Sequence, residues 1–291
     1  MRYVGNVIRP PSEARSLIIQ VTTGCSHNRC HFCGAYPQKF TIKPLDLVEE
    51  DLDWFASHGY KNSRRLFLAD GNALIRKTDD LLAIIAAAKS RLPKMRRVGL
   101  YANAKDVLRK SDDELAQLSE AGVRIAYLGL ESGDDEVLRK MDKGATADEM
   151  VEAVLRLQKV EIKASVIGLL GLAGSDPKAS EQHARATAAA INKMQPRYIS
   201  FLTVMIVPGT PLHSALEAGS FTLPEPKEIL KELRLITSLL DLERSVFRAN
   251  HASNYLPLAG TMSRDKERLL QTIDEALSGQ LSLVPEFFRG L

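Results

Sequence analysis

The sequence predicts an α/β fold in which helices cover a parallel sheet. Six short apolar segments alternate along the chain with segments of helical periodicity. The apolar segments lack the alternating polarity of half-exposed strands, which favours strands buried on both faces. Six strand–helix units are too few for a closed eight-stranded barrel, so we expect an open, partial (β/α)6 barrel. A doubly wound open sheet is the competing architecture.

Each element has a local signal. The first strand is the apolar run that ends at Gly24, and the first helix carries apolar residues at helical spacing and stops before Gly59. The patterns Ser111–Glu114 and Thr146–Glu149 are capping boxes that begin two later helices. The predicted strands are residues 16–24, 65–70, 97–103, 124–131, 163–172 and 198–206, and the predicted helices are 45–57, 79–91, 111–122, 146–160, 181–194, 226–241 and 263–277.

The totals restrict the class of protein. A net charge of +3 on 291 residues is too small to indicate a nucleic-acid partner. The longest apolar stretches, near residues 164–173 and 198–208, fall short of the roughly 20 residues of a membrane helix. The N-terminus lacks the apolar core of a signal peptide. We therefore expect a cytoplasmic protein with a core over residues 1–223 and a C-terminal helical and loop extension over residues 224–291 that closes the barrel.

All three cysteines of the chain lie in one stretch of nine residues directly after the first strand. They are Cys25, Cys30 and Cys33. Thiolates this close in sequence suit a reducing compartment and a metal better than disulfides. They are soft ligands for an iron–sulfur cluster or for zinc. A four-iron cluster takes one thiolate per iron, so three cysteines would leave one iron open. The competing interpretation is a structural zinc site completed by His27 or His31.

The stretch resembles the radical S-adenosylmethionine (SAM) superfamily, in which three cysteines hold a [4Fe-4S] cluster and SAM chelates the fourth iron. The aromatic Phe32 just before the last cysteine is part of the resemblance. The family spacing is three residues and then two, whereas four residues separate Cys25 from Cys30 here. The resemblance implies a partial TIM-like barrel and both cofactors. Within the superfamily, the chain resembles the core of the methylthiotransferase-like and coproporphyrinogen-oxidase-like proteins.

The resemblance also implies which residues contact SAM, mostly at the carboxyl ends of strands. The turn after residue 69 corresponds to the turn that holds the SAM amino group, and Asn103 stands where relatives often carry a carboxylate. Glu131 and Ser132 match SAM contacts, and Lys143 matches the basic residue that pairs with the SAM carboxylate. The full set of expected cofactor contacts is Phe32, Asp70, Gly71, Asn72, Asn103, Glu131, Ser132, Lys143, Ile167 and Gly171.

The C-terminal extension contributes candidates of its own. Residues 244–260 form a polar segment between two predicted helices, and we interpret it as a loop that closes the open side of the barrel. Its residues Arg248, His251 and Asn254 are candidates to face the substrate or the cluster. The competing interpretation is a polar loop whose side chains cap helices.

The resulting hypothesis is a radical SAM enzyme. It cleaves SAM reductively to a 5′-deoxyadenosyl radical, which abstracts hydrogen from a small-molecule substrate, and it receives electrons from a flavodoxin or ferredoxin. We expect neither a membrane nor a nucleic-acid partner. Two alternatives stay open: a carrier that binds the cluster and SAM, as haem-chaperone relatives do, and a structural zinc module.

Overall fold

A computed structural model describes residues 3–290. Its strands are β1 Leu17–Gln20, β2 Thr22–Thr23, β3 Thr41–Ile42, β4 Arg65–Ala69, β5 Arg97–Tyr101, β6 Val123–Glu131, β7 Lys163–Leu170, β8 Tyr198–Thr203, β9 Val246–Ala249 and β10 Leu258–Thr261. Its α-helices are α1 Leu45–Ser57, α2 Thr78–Arg91, α3 Ala104–Arg109, α4 Asp112–Ala121, α5 Asp135–Lys140, α6 Ala147–Lys159, α7 Pro177–Met194, α8 Pro211–Glu217, α9 Pro226–Leu239 and α10 Met262–Leu277.

Eight strands form one sheet in the order β1-β4-β5-β6-β7-β8-β9-β10. Parallel pairing joins β1 to β4, β4 to β5 and β5 to β6, and again β7 to β8 and β8 to β9. The remaining strands β2 and β3 form a short antiparallel ribbon. The predicted α/β class and all six predicted strands are confirmed, because strands buried on both faces require the helical cover that the alternating pattern supplies.

The prediction of a loop over residues 244–260 is wrong in part. The segment contains β9, which extends the parallel sheet beside β8, and β10, which pairs antiparallel with β9. Each strand is four residues long, too short for a periodic pattern to distinguish it from a loop. Backbone pairing to β8, rather than local sequence, makes β9 a strand.

The two predicted capping boxes are confirmed. Ser111 accepts from the backbone N–H of Glu114 at 3.1 Å, and the Glu114 carboxylate accepts from the backbone N–H of Ser111 at 2.8 Å. Thr146 and Glu149 exchange the same two bonds at 3.2 and 2.8 Å. These bonds satisfy N–H groups that the first turns of α4 and α6 leave without helical partners.

The chain divides into two compact units. The first contains residues up to Asn28, Ala35–Leu128 and Leu155–Ala164, and the second contains Arg29–Gly34, Gly129–Val154 and the residues from Ser165 onward. Leu66, Phe67 and Leu68 of β4 are fully buried in the first unit. Phe201 of β8 and Phe247 of β9 are 1% and 0% exposed and pack together in the second. The predicted boundary between residues 223 and 224 stays a prediction.

Every helix within residues 3–290 is too short or too polar to span a membrane.

Candidate functional site

The turn after β4 lies against the cysteine stretch. A Cβ atom on Gly71 would be 3.0 Å from Cβ of Cys25 and 2.7 Å from Cε2 of Tyr36. Heavy atoms do not approach so closely without a shift of the neighbouring groups. Because glycine has no Cβ atom, Cys25 can pack directly against the turn at the end of β4. The contact of Gly71 with SAM stays a prediction, and the structure shows the approach of Cys25 and Tyr36 to this glycine.

Asp70 is a fully buried carboxylate at the end of β4. Its Oδ2 atom accepts a hydrogen bond from Nε2 of Gln20 at 2.7 Å, but its Oδ1 atom has no partner among the described residues. Burial raises the pKa of Asp70 to about 6, and hydrogen bonds from Gln20 and from the backbone of Gly24 and Ile8 oppose this increase. A buried oxygen without a donor is costly. The position therefore suits a ligand that donates a proton, such as an amine.

Asn72 is also fully buried, but its polar atoms have partners. Its Nδ2 atom donates to Ser26 at 2.8 Å and to the carboxylate of Asp106, and its Oδ1 atom accepts from the backbone N–H of Asn103 at 3.3 Å. Nδ2 of Asn103 lies 3.5 Å from Oγ of Ser26. Since both protons of the Asn72 amide are used, this side chain holds the residue after Cys25 to the ends of β4 and β5.

In the second unit, the backbone of His31 is fixed on both sides. Its N–H donates to the carbonyl of Met141 at 2.9 Å, and its carbonyl accepts from the N–H of Leu212 at the same distance. Phe32 packs against an apolar cluster that includes Met141, Leu172 and Leu212. The segment with Cys30 and Cys33 is thus held by backbone bonds and by one aromatic anchor. The N–H of Cys33 donates to the carbonyl of Cys30 at 3.1 Å.

The turn after β6 carries an ion pair. Nζ of Lys143 donates to Oε1 of Glu131 at 2.9 Å, and their side chains are 14% and 11% exposed. Glu131 has a φ of 62°, which is unusual for a residue other than glycine and is found at ligand sites more often than elsewhere. Oε1 of Glu131 would lie 1.9 Å from a Cβ atom on Gly129, so the carboxylate folds over a position that only glycine can occupy.

Other predicted contacts are placed as follows. Ser132 is 0% exposed, and its hydroxyl is bound to His183. Ile167 lies half-buried on β7 opposite Ser200. Gly171 follows β7 with a φ of 79° and donates its N–H to Glu232 at 2.9 Å.

The three candidates of the C-terminal segment lie on or after β9. The guanidinium of Arg248 is 5.5 Å from the ring centroid of Tyr198. Nδ1 of His251 bonds to Ser253, and burial lowers the pKa of His251. Asn254 donates to the carbonyl of Phe201 at 2.8 Å and accepts from Thr203 at 2.9 Å. The contacts of Asn254 are those of a residue that attaches the segment to β8.

Sequence reasoning missed the partners of several of these residues. Asp106, His183 and Glu232 lie on helices and bind residues of the predicted site. A polar residue on the buried face of an amphipathic helix is a usable signal, because burial requires a partner. The sequence does not name that partner.

The residues present fit a [4Fe-4S] cluster and SAM. The three cysteines are free of disulfides, and three thiolates leave one iron for another ligand. Asp70 offers an unmet acceptor to an amine, and Lys143 offers a cation to a carboxylate. Within residues 3–290, no group of three or more His, Cys, Asp or Glu could hold a metal ion. This result applies to a site for one metal ion. It does not apply to a four-iron cluster, in which each thiolate binds a different iron.

Comparisons with known proteins agree on one family. The model of the radical SAM superfamily matches residues 19–187, which is more than half of the chain and includes all three cysteines. No curated protein matches.

Among solved structures, coproporphyrinogen III oxidase (HemN) from Escherichia coli aligns with a TM-score of 0.58 and 14% identity over 77% of this chain and 51% of its own. The radical SAM methyltransferase TsrM from Kitasatospora setae, solved with cobalamin and a [4Fe-4S] cluster, gives 0.56 and 20% over 72% and 41%. Methylornithine synthase (PylB) gives 0.53 and 17% over 91% and 81%.

At these identities the structural matches show the fold alone, a partial TIM-like barrel. The chain spans 41% of TsrM and 54% of the hydrogenase maturase HydG. The family match, by contrast, covers the strand, the cysteines and the turns described above. This chain therefore belongs to the radical SAM superfamily, and its cofactors are a [4Fe-4S] cluster and S-adenosylmethionine.

Proposed function

We propose that the chain is an enzyme that uses SAM to abstract hydrogen from a small-molecule substrate. The observation that carries this proposal is the grouping of all three cysteines within nine residues inside the family match. When bound, the reduced cluster and SAM together supply reductive cleavage of the SAM carbon–sulfur bond to methionine and a 5′-deoxyadenosyl radical.

Cys25, Cys30 and Cys33 are the proposed cluster ligands. Each supplies one thiolate, which leaves the fourth iron to the amino and carboxylate groups of SAM. Within the first unit, Cys25 packs closely against Gly71, and within the second unit the backbone bonds of His31 hold the segment with Cys30 and Cys33.

The two strand-end turns are the proposed binding groups for the amino-acid part of SAM. Asp70 accepts an N–H of the SAM amino group through Oδ1, the atom that lacks a donor of normal geometry among the described residues. Lys143 pairs with the SAM carboxylate, and Glu131 keeps that ammonium in place before SAM arrives. A point charge such as an ammonium suffices for this pairing. Ile167 and Gly171 provide apolar surface and backbone at the end of β7.

The test begins with anaerobic purification and reconstitution of the cluster. We expect a brown protein with about four irons per chain that releases 5′-deoxyadenosine when SAM and a chemical reductant are added. Cluster and SAM binding without release of 5′-deoxyadenosine would instead support a carrier of the haem-chaperone type. A colourless protein that binds zinc after reconstitution would contradict both functions.

The electron donor is testable in the same assay. A flavodoxin or ferredoxin with its reductase should replace the chemical reductant. Failure of both donors, with the chemical reductant still active, would contradict that part of the proposal.

A further inference from the structure

A buried acid–histidine pair in the second unit has no role in the proposed chemistry. His183 on α7 and Glu232 on α9 are 1% and 3% exposed, and Nε2 of His183 lies 3.4 Å from Oε1 of Glu232. Burying a carboxylate and an imidazole is costly unless their polar atoms have partners. The groups that His183 and Glu232 contact therefore have to explain why both side chains are buried.

The pair contacts the turns after β6 and β7. Nδ1 of His183 is 2.7 Å from Oγ of Ser132, the residue that follows β6. Glu232 accepts from the N–H of Gly171, the residue that follows β7, at 2.9 Å through Oε1, and from Ser180 at 2.6 Å through Oε2. The proposed site uses a residue in each of these turns.

The hydrogen bonds suit a donor role for Ser132 towards His183. Oγ of Ser132 accepts from the N–H of Asp134 at 2.9 Å, and its own proton is available to Nδ1 of His183. An imidazole that accepts at Nδ1 carries its proton at Nε2. Nε2 lies 3.4 Å from Oε1 of Glu232 and has no hydrogen-bond partner among the described residues, so the ring and the carboxylate are in contact without a hydrogen bond.

Ser132 has no exposed surface through which to contact a ligand. Its neighbour Glu131 keeps part of its side chain accessible, and it is held at a φ of 62°. The hydroxyl of Ser132 binds the next turn of chain and the buried histidine instead. A residue anchored in this way fixes the backbone direction of the residue before it.

We propose that His183 and Glu232 form a buried brace that sets the turns after β6 and β7, and thereby the position at which Glu131 and Lys143 meet SAM. His183, Glu232 and Ser132 are then positioning residues, and Ser132 acts through Glu131 rather than by contact. The brace rests on the proposed function. Glu232 lies outside residues 19–187, so the position of Glu131 and Lys143 would depend in part on a helix beyond the family match.

The test measures SAM affinity by equilibrium dialysis on the reconstituted protein. We expect His183→Ala and Ser132→Ala each to weaken SAM binding about tenfold or more, and the double variant to be no weaker than either single one, because both break one chain of bonds. His183→Asn, which keeps a polar partner near the position of Nδ1, should recover part of the affinity. Additive losses in the double variant would show that Ser132 contacts SAM independently and would overturn the brace.

A second measurement needs no cofactor. In the cluster-free protein, Glu232→Ala should speed hydrogen exchange in the peptide that contains Gly171, because that N–H loses its acceptor. Thr237→Val on the same helix is the control, since the Thr237 hydroxyl is buried without a partner among the described residues. The control should leave both exchange and SAM affinity unchanged.

Failure of the brace and failure of the proposed function are distinguishable. If the unmodified protein binds SAM and His183→Ala binds it equally well, the brace is wrong and the function stands. If the unmodified protein binds no SAM after reconstitution, the function is wrong. Unchanged exchange at Gly171 in Glu232→Ala would remove Glu232 from the brace in either case.

Discussion

The turns after β4 and β6 both place an acid at the end of a buried strand, but they satisfy it differently. Asp70 has only neutral donors, Gln20 and the backbone N–H groups of Gly24 and Ile8, and its Oδ1 atom makes no hydrogen bond of normal geometry among residues 3–290. Glu131 is bound by the ammonium of Lys143. Neutral donors compensate desolvation only in part at Asp70, so its pKa is raised, whereas Glu131 has a cation as its partner.

This difference separates two ways of preparing a site for a charged ligand. A ligand amine at Asp70 would fill a vacant acceptor and return the pKa of that acid towards its ordinary value. A ligand carboxylate at Lys143 must share an ammonium that is already engaged. In the proposed site, the first turn offers an acceptor oxygen without a hydrogen bond, and the second offers a cation that is already in position.

The largest expected effect is loss of the cluster, on which the proposed binding of SAM at both turns depends. Substitution of Cys25, Cys30 or Cys33 by alanine should abolish cluster incorporation and 5′-deoxyadenosine release, since three thiolates are the donors available. Iron analysis and absorbance after reconstitution measure the loss. His27→Ala and His31→Ala are the controls and should keep their iron, whereas loss of metal in either would favour the zinc interpretation.

The next effect sharpens the contrast at Asp70. Its pKa is about 6 in the folded protein and about 3.9 in an unfolded chain. The folded state therefore binds the proton more tightly, so the stability from this group is complete below pH 4 and is lost as the pH rises through 6. Asp70→Asn should be more stable than the parent at pH 7, by up to about 3 kcal/mol, and equally stable at pH 3.5.

Urea denaturation of the cluster-free protein at several pH values measures the Asp70 effect. A difference between variant and parent that does not change with pH would contradict it. In the reconstituted protein, the same substitution should weaken SAM binding, because an amide oxygen accepts an N–H of the SAM amino group less strongly than a carboxylate does.

A smaller effect tests the other turn. Lys143→Gln should weaken SAM binding about tenfold, because it removes the cation for the SAM carboxylate and leaves Glu131 without its ion-pair partner. Lys140→Gln is the matched control, since Lys140 pairs with Glu136 at the surface, where such pairs contribute little. Equal SAM affinity in the two variants would show that Lys143 has no part in binding.

The smallest effect concerns the bond between Asn72 and Asp106, close to Asp70. Asp106→Asn should lower the free energy of unfolding by about 1 kcal/mol, because a charge-assisted bond from Asn72 becomes a neutral one. Thermal unfolding of the cluster-free protein measures this loss. Glu120→Gln, at an exposed position of α4, should change stability by less than about 0.5 kcal/mol. Identical unfolding of both variants would mean that Asp106 does not hold Asn72.

Local signals predicted most of the fold. Capping boxes, glycine stops and apolar runs marked α1, α4, α6 and the six parallel strands to within a few residues. The same signals failed at β9 and β10, where four-residue strands depend on pairing with neighbours far away in the sequence. The sequence also made Asn72 and Asn254 candidates for ligand contact, and the structure commits their amides to Ser26, Asp106, Phe201 and Thr203.

The sequence by itself predicted the family and the cofactors, through the resemblance of its three grouped cysteines, and the parallel α/β order, through periodicity along the chain. Only the tertiary structure decided that Asp70 keeps a vacant acceptor, that Lys143 binds Glu131, and that His183 joins Ser132 to Glu232. The physical reason is that partners in a buried polar network lie on different elements. Burial requires a polar side chain to have a partner, but it does not determine which residue that partner is.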